Sequence, residues 1–416
     1  MSSVRKSSAY PDTVQPGIPR LPDAPPVGWR RTTFGRHLYE EKRPVKMEDE
    51  REYDLVTVKR ARGGVVKRET KLGRDISVKT QFEVKAGDFL ISKRQIVHGA
   101  CGVVPANLNG STVSNEYAVL RGKDSIDLEF LKHFSHSVFF QQTCFHSSIG
   151  VHIEKMIFKT DKWFDWEFDL PPIDEQRRIA ETLTIWDRAI ETTERLIANS
   201  RSQKRALMSD LYSLKGKPNG SQTFKLGDLC DCYSGGTPSR RNAAYFNGTI
   251  PWLKSGELNR GVIAFADEAI TEEALSRSSA KMVKSGTILL ALYGATAGVV
   301  ATTNIDAAIN QAILAIIPNE SLDKVYLQFY LEFQIDEMKR LTQGGQPNLS
   351  ATIVKNLNIP VPDKTEQKSI SDCILTADRL VRSQEEHLDN LRKQKVALVQ
   401  QLLTGKRRVK IEEAAA

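Results

Sequence analysis

The chain carries one long segment twice. LPPIDEQRRIAETLTIWDRAIETTERLIANSRSQKRALMSDL ends at Leu211, and IPVPDKTEQKSISDCILTADRLVRSQEEHLDNLRKQKVALVQQL ends at Leu402. With Glu175-Gln176 set on Glu366-Gln367, an offset of 191 residues, the match runs to the end of both copies without a gap. Ile179/Ile370, Asp187/Asp378, Arg188/Arg379, Glu194/Glu385, Asn199/Asn390, Arg201/Arg392, Lys204/Lys395 and Leu207/Leu398 are identical pairs. A repeat this long sets the plan of the molecule before any single residue is interpreted.

Each copy opens at a proline-bounded strand end and continues as a heptad. In the first copy one row is Ile179, Trp186, Thr193, Ser200, Leu207 and Leu214, and the other is Leu183, Ile190, Ile197, Lys204 and Leu211. In the second, Ile370, Ala377, Gln384, Leu391 and Leu398 run beside Ile374, Val381, Leu388, Lys395 and Leu402. A sustained heptad predicts helices that pair as a coiled coil. Two matching helices in one chain most simply cover each other's seam, as an antiparallel pair. Lys204 and Lys395 interrupt both seams at the same place, either fixing register or snorkelling to the seam edge.

The segments before the helices, 29–168 and 224–358, also correspond. Val84-Lys85-Ala86-Gly87 before Phe89-Leu90-Ile91 parallels Val283-Lys284-Ser285-Gly286 before Ile288-Leu289-Leu290. Gly99 and Gly102 precede Val103-Val104 as Gly294 and Gly298 precede Val299-Val300. Asn115-Glu116 then matches Asn310-Gln311, and Phe130-Leu131 matches Tyr326-Leu327. Short β-branched runs broken by Gly, Asn and Pro predict strands and turns with one or two late helices. The expected fold class is α+β: two pseudo-repeated domains, each followed by a long helix, the helices pairing as an antiparallel coiled coil. The expected boundaries are a flexible Pro-rich arm at 1–28, domains at 29–168 and 224–358, helices at 169–214 and 359–405, a linker at 215–223 and a tail at 406–416. That tail, with Gly405 before it (GKRRVKIEEAAA), reads as frayed or partly a remnant of cloning.

Composition bounds the function. At 416 residues the chain exceeds one compact core. Its 59 Lys and Arg against 51 Asp and Glu fit a polyanionic partner. No run approaches the roughly 18 apolar residues of a membrane span, and the N-terminus lacks an apolar signal core. Five cysteines without framework spacing fit a reducing cytoplasm, where the chain is expected to work.

The second half contains the ordered set Gly235-Gly236-Thr237-Pro238-Ser239, Tyr245-Phe246-Asn247-Gly248, and Ile250 to Leu258 (IPWLKSGEL), ending with Gly344-Gly345-Gln346-Pro347-Asn348-Leu349-Ser350 and Ile359-Pro360-Val361-Pro362 before Glu366-Gln367. This set resembles the target recognition domain of the specificity subunit of Type I restriction–modification systems, and the resemblance covers nearly everything after residue 29. The first domain departs from it, lacking the GGTPS and PW stretches after Phe34. The resemblance implies two target recognition domains, each reading half of a split double-stranded DNA sequence. It implies partners as well: two copies of a methyltransferase subunit and restriction (nuclease–translocase) subunits. It implies that this chain binds no cofactor, S-adenosylmethionine, and ATP with Mg where a nuclease is present, belonging to the partners. A helix of about 37 residues spans roughly 55 Å, enough to separate half-sites about 34–36 Å apart, so helix length is expected to set the unread gap.

Basic residue types mark candidate DNA contacts, because arginine's fork suits guanine edges and phosphates. In the first half these are Arg30 and Arg31, and then Arg60, Arg62, Lys67 and Arg68 about a Gly63-Gly64 turn that predicts a hairpin. The bland alternative is a solvated surface hairpin. In the second half they are Arg240 and Arg241 after the GGTPS turn, with Lys254 and Arg260 beside a short strand. Gln346 and Asn348 can read adenine as amides or cap the turn at Pro347. Arg62→Ala and Arg241→Ala are each expected to weaken reading of a different half-site.

His98, Cys101, His133, His136, Cys144, His146 and His152 crowd one region, but no second cysteine pair completes a zinc site, so structural histidines are expected. The sequence holds no G-x-x-x-x-G-K-[ST] and no G-x-G-x-x-G after a strand. Pro362-Asp363…Glu366-Gln367-Lys368 spells a nuclease motif only superficially, since its acids sit at a helix start where Glu complements the N-terminal charge. The expectation is therefore a non-catalytic DNA-reading chain. Its rivals are a coiled-coil scaffold with only non-specific DNA affinity, and a stand-alone nuclease or methyltransferase.

Overall fold

In the computed structural model, which describes residues 17–212, 222–340 and 348–409, the repeated segment forms helices Ile173–Tyr212 and Lys364–Leu402. Pro172 and Pro362 lie just before the two helix starts, and acidic first-turn residues (Asp174 and Glu175; Glu366) face the positive helix end. The chain divides into two compact units, residues 1–192 with 388–416, and residues 193–387.

Inside each unit the helices run in opposite directions. In the first, Asp187, early in its helix, pairs with Lys395, late in the other. In the second, Lys204 Nζ meets Asp378 Oδ1 at 2.6 Å and Arg201 meets Glu385 at 2.5 Å. Asp187/Asp378 and Lys204/Lys395 are repeat equivalents, so one ion pair occurs twice with its donor and acceptor helices exchanged. Every seam position of the two heptads is buried or half-buried, apart from Leu214, which lies outside the described residues. The seam lysines pair with the facing helix, the register-fixing role of a polar seam residue.

A buried glutamine joins each helix to its domain. Gln176 Oε1 accepts from Asp127 N (2.8 Å), and its Nε2 donates to Ser125 O (3.1 Å) and Pro171 O (2.9 Å). Gln367 repeats the pattern with Asp323 N (2.6 Å), Ser321 O (3.0 Å) and Pro362 O (2.8 Å). Asp127 and Asp323 in turn cap helices, their Oδ1 atoms accepting from Phe130 N and Tyr326 N. Three bonds at about 1 kcal/mol each, with buried groups stranded on removal, make Gln176→Leu and Gln367→Leu each about 2–3 kcal/mol destabilising. Urea melts of the two variants check this, and equal midpoints for variants and parent would remove the latch.

The first unit has a four-stranded antiparallel sheet in the order Leu38–Glu40, Tyr117–Gly122, Phe89–Ser92, Cys101–Val103. A five-stranded sheet orders Pro44–Val45, Gln81–Glu83, Thr112–Ser114, Glu52–Val58, Val65–Leu72. Phe34 lies stacked between Trp163 and Phe168, with centroids 4.1 and 4.2 Å away. The second unit has a five-stranded sheet (Cys230–Ser234, Ile313–Pro318, Ile288–Ala291, Val300–Thr303, Val262–Ile263) and a four-stranded one (Glu268–Ile270, Ile250–Leu253, Ala307–Ile309, Lys281–Val283). In both, the strand entering the domain pairs with the strand leaving for the helix: Arg30–Thr33 with Glu167–Leu170, and Gln222–Lys225 with Asn358–Val361. The matched turns before the central strands both put glycine at φ +85° (Gly87, Gly286), where a side chain would be strained.

Residues 17–28, expected as a flexible arm, run irregularly and are held over the described stretch. Gly17 O accepts from His146 (2.7 Å), Pro22 O accepts from Arg31 (2.6 Å), and Val27 O accepts from Arg408. The tail is likewise tied down as far as residue 409, since Arg408 forks onto the buried Glu175, which also accepts from Trp29 Nε1 at 3.1 Å. A proline-rich strand cannot complete a sheet ladder, and side chains take its carbonyls instead. No helix among the described residues is long and apolar enough to cross a membrane.

Candidate nucleic-acid interface

The Gly63-Gly64 turn closes a hairpin of strands Glu52–Val58 and Val65–Leu72, the hairpin expected from sequence. Its tip turns on Ala61 and Arg62, both left-handed at φ +53° and +62°. That costly geometry aims two amides at the neighbouring loop, Ala61 N to His98 O (2.7 Å) and Arg62 N to Gly99 O (3.0 Å).

The candidate cations on this hairpin differ in exposure. Arg60 reaches outward, with Nε on Gln95 Oε1 (2.7 Å) and Nη2 on Glu154 Oε2 (2.9 Å). Arg62 instead folds back against Gly99, its Nε is buried without a partner, and burial lowers its pKa from the usual guanidinium value. Lys67 pairs with Asp54 (2.7 Å) and Arg68 with Glu69 (2.5 Å), both exposed. Exposed pairs like these contribute little to stability. Arg30 and Arg31 stand elsewhere, in the two-stranded sheet leading to the helix. Arg30 is exposed, and Arg31 is bound to Asp169 at 2.9 Å.

In the second unit the GGTPS turn sits on backbone. A methyl on Gly235 would overlap the carbonyl oxygen of Ile309, and one on Gly236 would overlap Ser279. Trp252 Nε1 donates to Gly236 O at 3.2 Å, fixing the turn to the neighbouring sheet. The turn delivers Arg240 over the rings of Phe246 (4.1 Å) and Trp252 (5.2 Å) and onto Glu268 Oε2 at 2.7 Å. Lys254 takes the other oxygen at 2.5 Å, and Lys254 and Arg240 together hold Glu268 below its usual carboxylate pKa. Arg240 is thus pre-oriented by stacking and one ion pair. Arg241 beside it is exposed and makes no ion pair among the described residues.

Arg260 joins this cluster through Glu257, which also accepts from Lys254 N at 2.7 Å. It stacks on Phe265 at 4.3 Å and bridges Glu257 (3.3 Å) and Asp267 (2.6 Å). Gln346 falls outside the described residues. Asn348 is exposed, and the helix after it is capped by Ser350, whose Oγ accepts from Ile353 N at 3.2 Å. His37 bonds Thr32 and Ser125, and His133 lies 3.2 Å from Thr184. Burial, with Arg60 adding to it, lowers the pKa of His98. Among the described residues no three His, Cys, Asp or Glu side chains gather in a metal-binding group.

The arrangement is thus two domains of one plan, each presenting arginines on a turn braced against a sheet. A family model described as the Type I restriction modification DNA specificity domain matches residues 40–199 and again 218–393. The chain belongs to this family. Among relatives of the specificity family, the MjaVIII specificity subunit of Methanocaldococcus jannaschii is 28% identical over 62% of this chain and 65% of its own length. The EcoR124I/EcoR124II specificity subunit of Escherichia coli is 27% identical over 50% of this chain and 54% of its own. The chain therefore spans between half and two thirds of these relatives. A chain from a solved type I R-M system superposes with a TM-score of 0.63 at 20% identity, covering 93% of this chain and all of that one. The S subunit from M. genitalium gives 0.56 at 16%, covering 93% and 99%. At these identities the likeness is one of fold.

Proposed function

We propose that the chain reads a bipartite double-stranded DNA target, one half with each domain, and directs methyltransferase and nuclease–translocase subunits to it. The observation that carries this reading is the duplication of a complete unit, from its entry strand through its arginine turn to the glutamine-latched helix. Phosphate contacts would set position, and base-edge contacts from Arg60 and Arg241 would set sequence. The repeat offers two equivalent seats, suited to two methyltransferase copies. Methylation then requires a base flipped into a partner's pocket, with S-adenosylmethionine bound there. The chain itself acts without catalysis, in the cytoplasm, and ATP with Mg belongs to the translocase.

The test is a genome-wide map of modified bases by single-molecule sequencing, in cells with the chain and its neighbouring methyltransferase and in cells lacking only the chain. A split motif that vanishes with the chain is the expected result. An unchanged methylation pattern would end the reading. In the same assay Arg241→Ala should relax one half-site and leave the other intact, with about tenfold or more lost at the base it reads. Unchanged selectivity at both halves would remove Arg241 from the interface.

A further inference from the structure

Beside the arginine hairpin stands a second, smaller one, strands Ser148–Ile149 and Ile157–Phe158. Its tip carries Val151 at 95% exposure, the most exposed large apolar side chain among the described residues, with Ile149 and Ile157 also exposed. Single exposed apolar residues are ordinary, but three within one short hairpin form a patch that calls for a partner.

The base of this hairpin is firmly built. Phe158 and Met156 are buried, Ser148 Oγ donates to Cys144 O (2.8 Å), and Lys159 N donates to Ser147 O (2.9 Å). Gly150 lets the strands cross closely, since a methyl there would stand 2.9 Å from Met156 Cα. Three segments meet at this place. Glu154 binds Arg60 of the arginine hairpin and lies 3.1 Å from His98 Nε2, and Phe158 N donates to Lys93 O at 2.8 Å. Of the seven lysines and arginines in segments 59–64, 93–99 and 148–159, Arg62 is turned inward and Arg60, Lys93 and Arg94 pair with Glu154, Glu40 and Glu116, while Lys59, Lys155 and Lys159 are exposed and make no ion pair among the described residues. The excess of cations around an apolar tip matches a duplex, with phosphates for the cations and a base step for the tip.

We infer that the Ile149–Val151 tip is an apolar wedge that enters a base step of the half-site read by the first domain, with Glu154 positioning it against Arg60. The inference rests on the DNA-reading function proposed above. It is tested on the complex of the chain with its methyltransferase partner, bound to a duplex carrying the mapped split sequence. 2-Aminopurine is placed in turn at each position of both half-sites. Wild type should brighten one step of one half-site other than the methylated base, whose brightening reports flipping. Ile149→Ser with Val151→Ser should abolish that signal and weaken binding about tenfold or more, with selectivity at the other half and Tm unchanged. The inference is overturned if no additional step brightens, if the double variant binds as wild type does, or if it fails to assemble with the methyltransferase while still binding DNA. A wild-type complex without sequence preference would instead bring down the function reading, and the wedge with it.

Discussion

Gly235→Ala should lower the unfolding temperature of the chain by about 10 °C, the shift expected for about 4 kcal/mol in a unit of this size. The added methyl would overlap the Ile309 carbonyl oxygen and stand 2.6 Å from its carbon. Ile309 cannot retreat. Its strand is paired on one side with Leu253 and on the other with Lys281, and its carbonyl accepts from Gly236 N at 3.1 Å. Relief therefore means breaking a central strand or detaching the arginine turn. Gly256→Ala is the matched control: nothing lies within 4 Å of its methyl, and its effect should stay within about 0.5 kcal/mol. Calorimetry of the two variants decides the matter, and a Gly235→Ala melt matching that of Gly256→Ala would show that the turn is not braced by the sheet.

The architecture was legible because a repeat is self-checking. The offset that aligned Gln176 with Gln367 also aligned both heptads, and it predicted helices whose seams are the buried faces. Periodicity reported which residues face inward, but not what a polar residue does once there. Lys204 and Lys395 read equally well as snorkelling or register-fixing. The choice depends on the facing aspartate, which lies 174 residues from one lysine and 208 from the other. The buried glutamines were visible as a matched pair without a role, because their partners are backbone groups that no side-chain pattern announces. The arm and tail were read from composition, and composition is blind to carbonyls captured by Arg31 and Arg408.

The interface was legible only as an inventory of cations. A Gly-Gly turn between β-prone runs located the hairpin, but not that two left-handed residues at its tip turn Arg62 inward while Arg60 reaches out. In the second unit Arg240 and Lys254 are 14 residues apart in the chain, and they meet on Glu268, with the rings of Phe246 and Trp252 against Arg240. The motif stretches contained both rings. Glu154, a lone acid in a basic stretch, was the one sequence signal that the small hairpin closes on Arg60, and it was not singled out.

Lys204→Glu should destabilise the chain by about 3–5 kcal/mol, the cost of breaking a largely buried pair from one side. Lys204 and Asp378 are 16% and 15% exposed, and Lys204 also lies 3.7 Å from Glu332 and 4.9 Å from the Phe329 ring centroid. Burial already pushes the Glu332 pKa up, with Lys204 partly offsetting it. The change takes Lys204 from both acids, leaving Asp378 with Arg382 at 2.7 Å and Glu332 with Gln328 at 3.2 Å, and adds a third carboxylate beside them. Folded pKa values at the cluster then rise above their unfolded values, so the folded form binds more protons. Stability should be lost as pH rises toward about 7 and partly regained as it falls toward about 5. Asp378→Lys on the same background should restore most of the loss by exchanging the charges across the seam. The repeat supplies an internal comparison: Lys395→Glu should cost less, because Asp187 is 43% exposed and water can solvate it. Thermal melts of these variants at two pH values test all three statements together. If the exchanged pair melts no higher than Lys204→Glu alone, the cross-helix pair is incidental, and apolar packing alone sets the register of the helices.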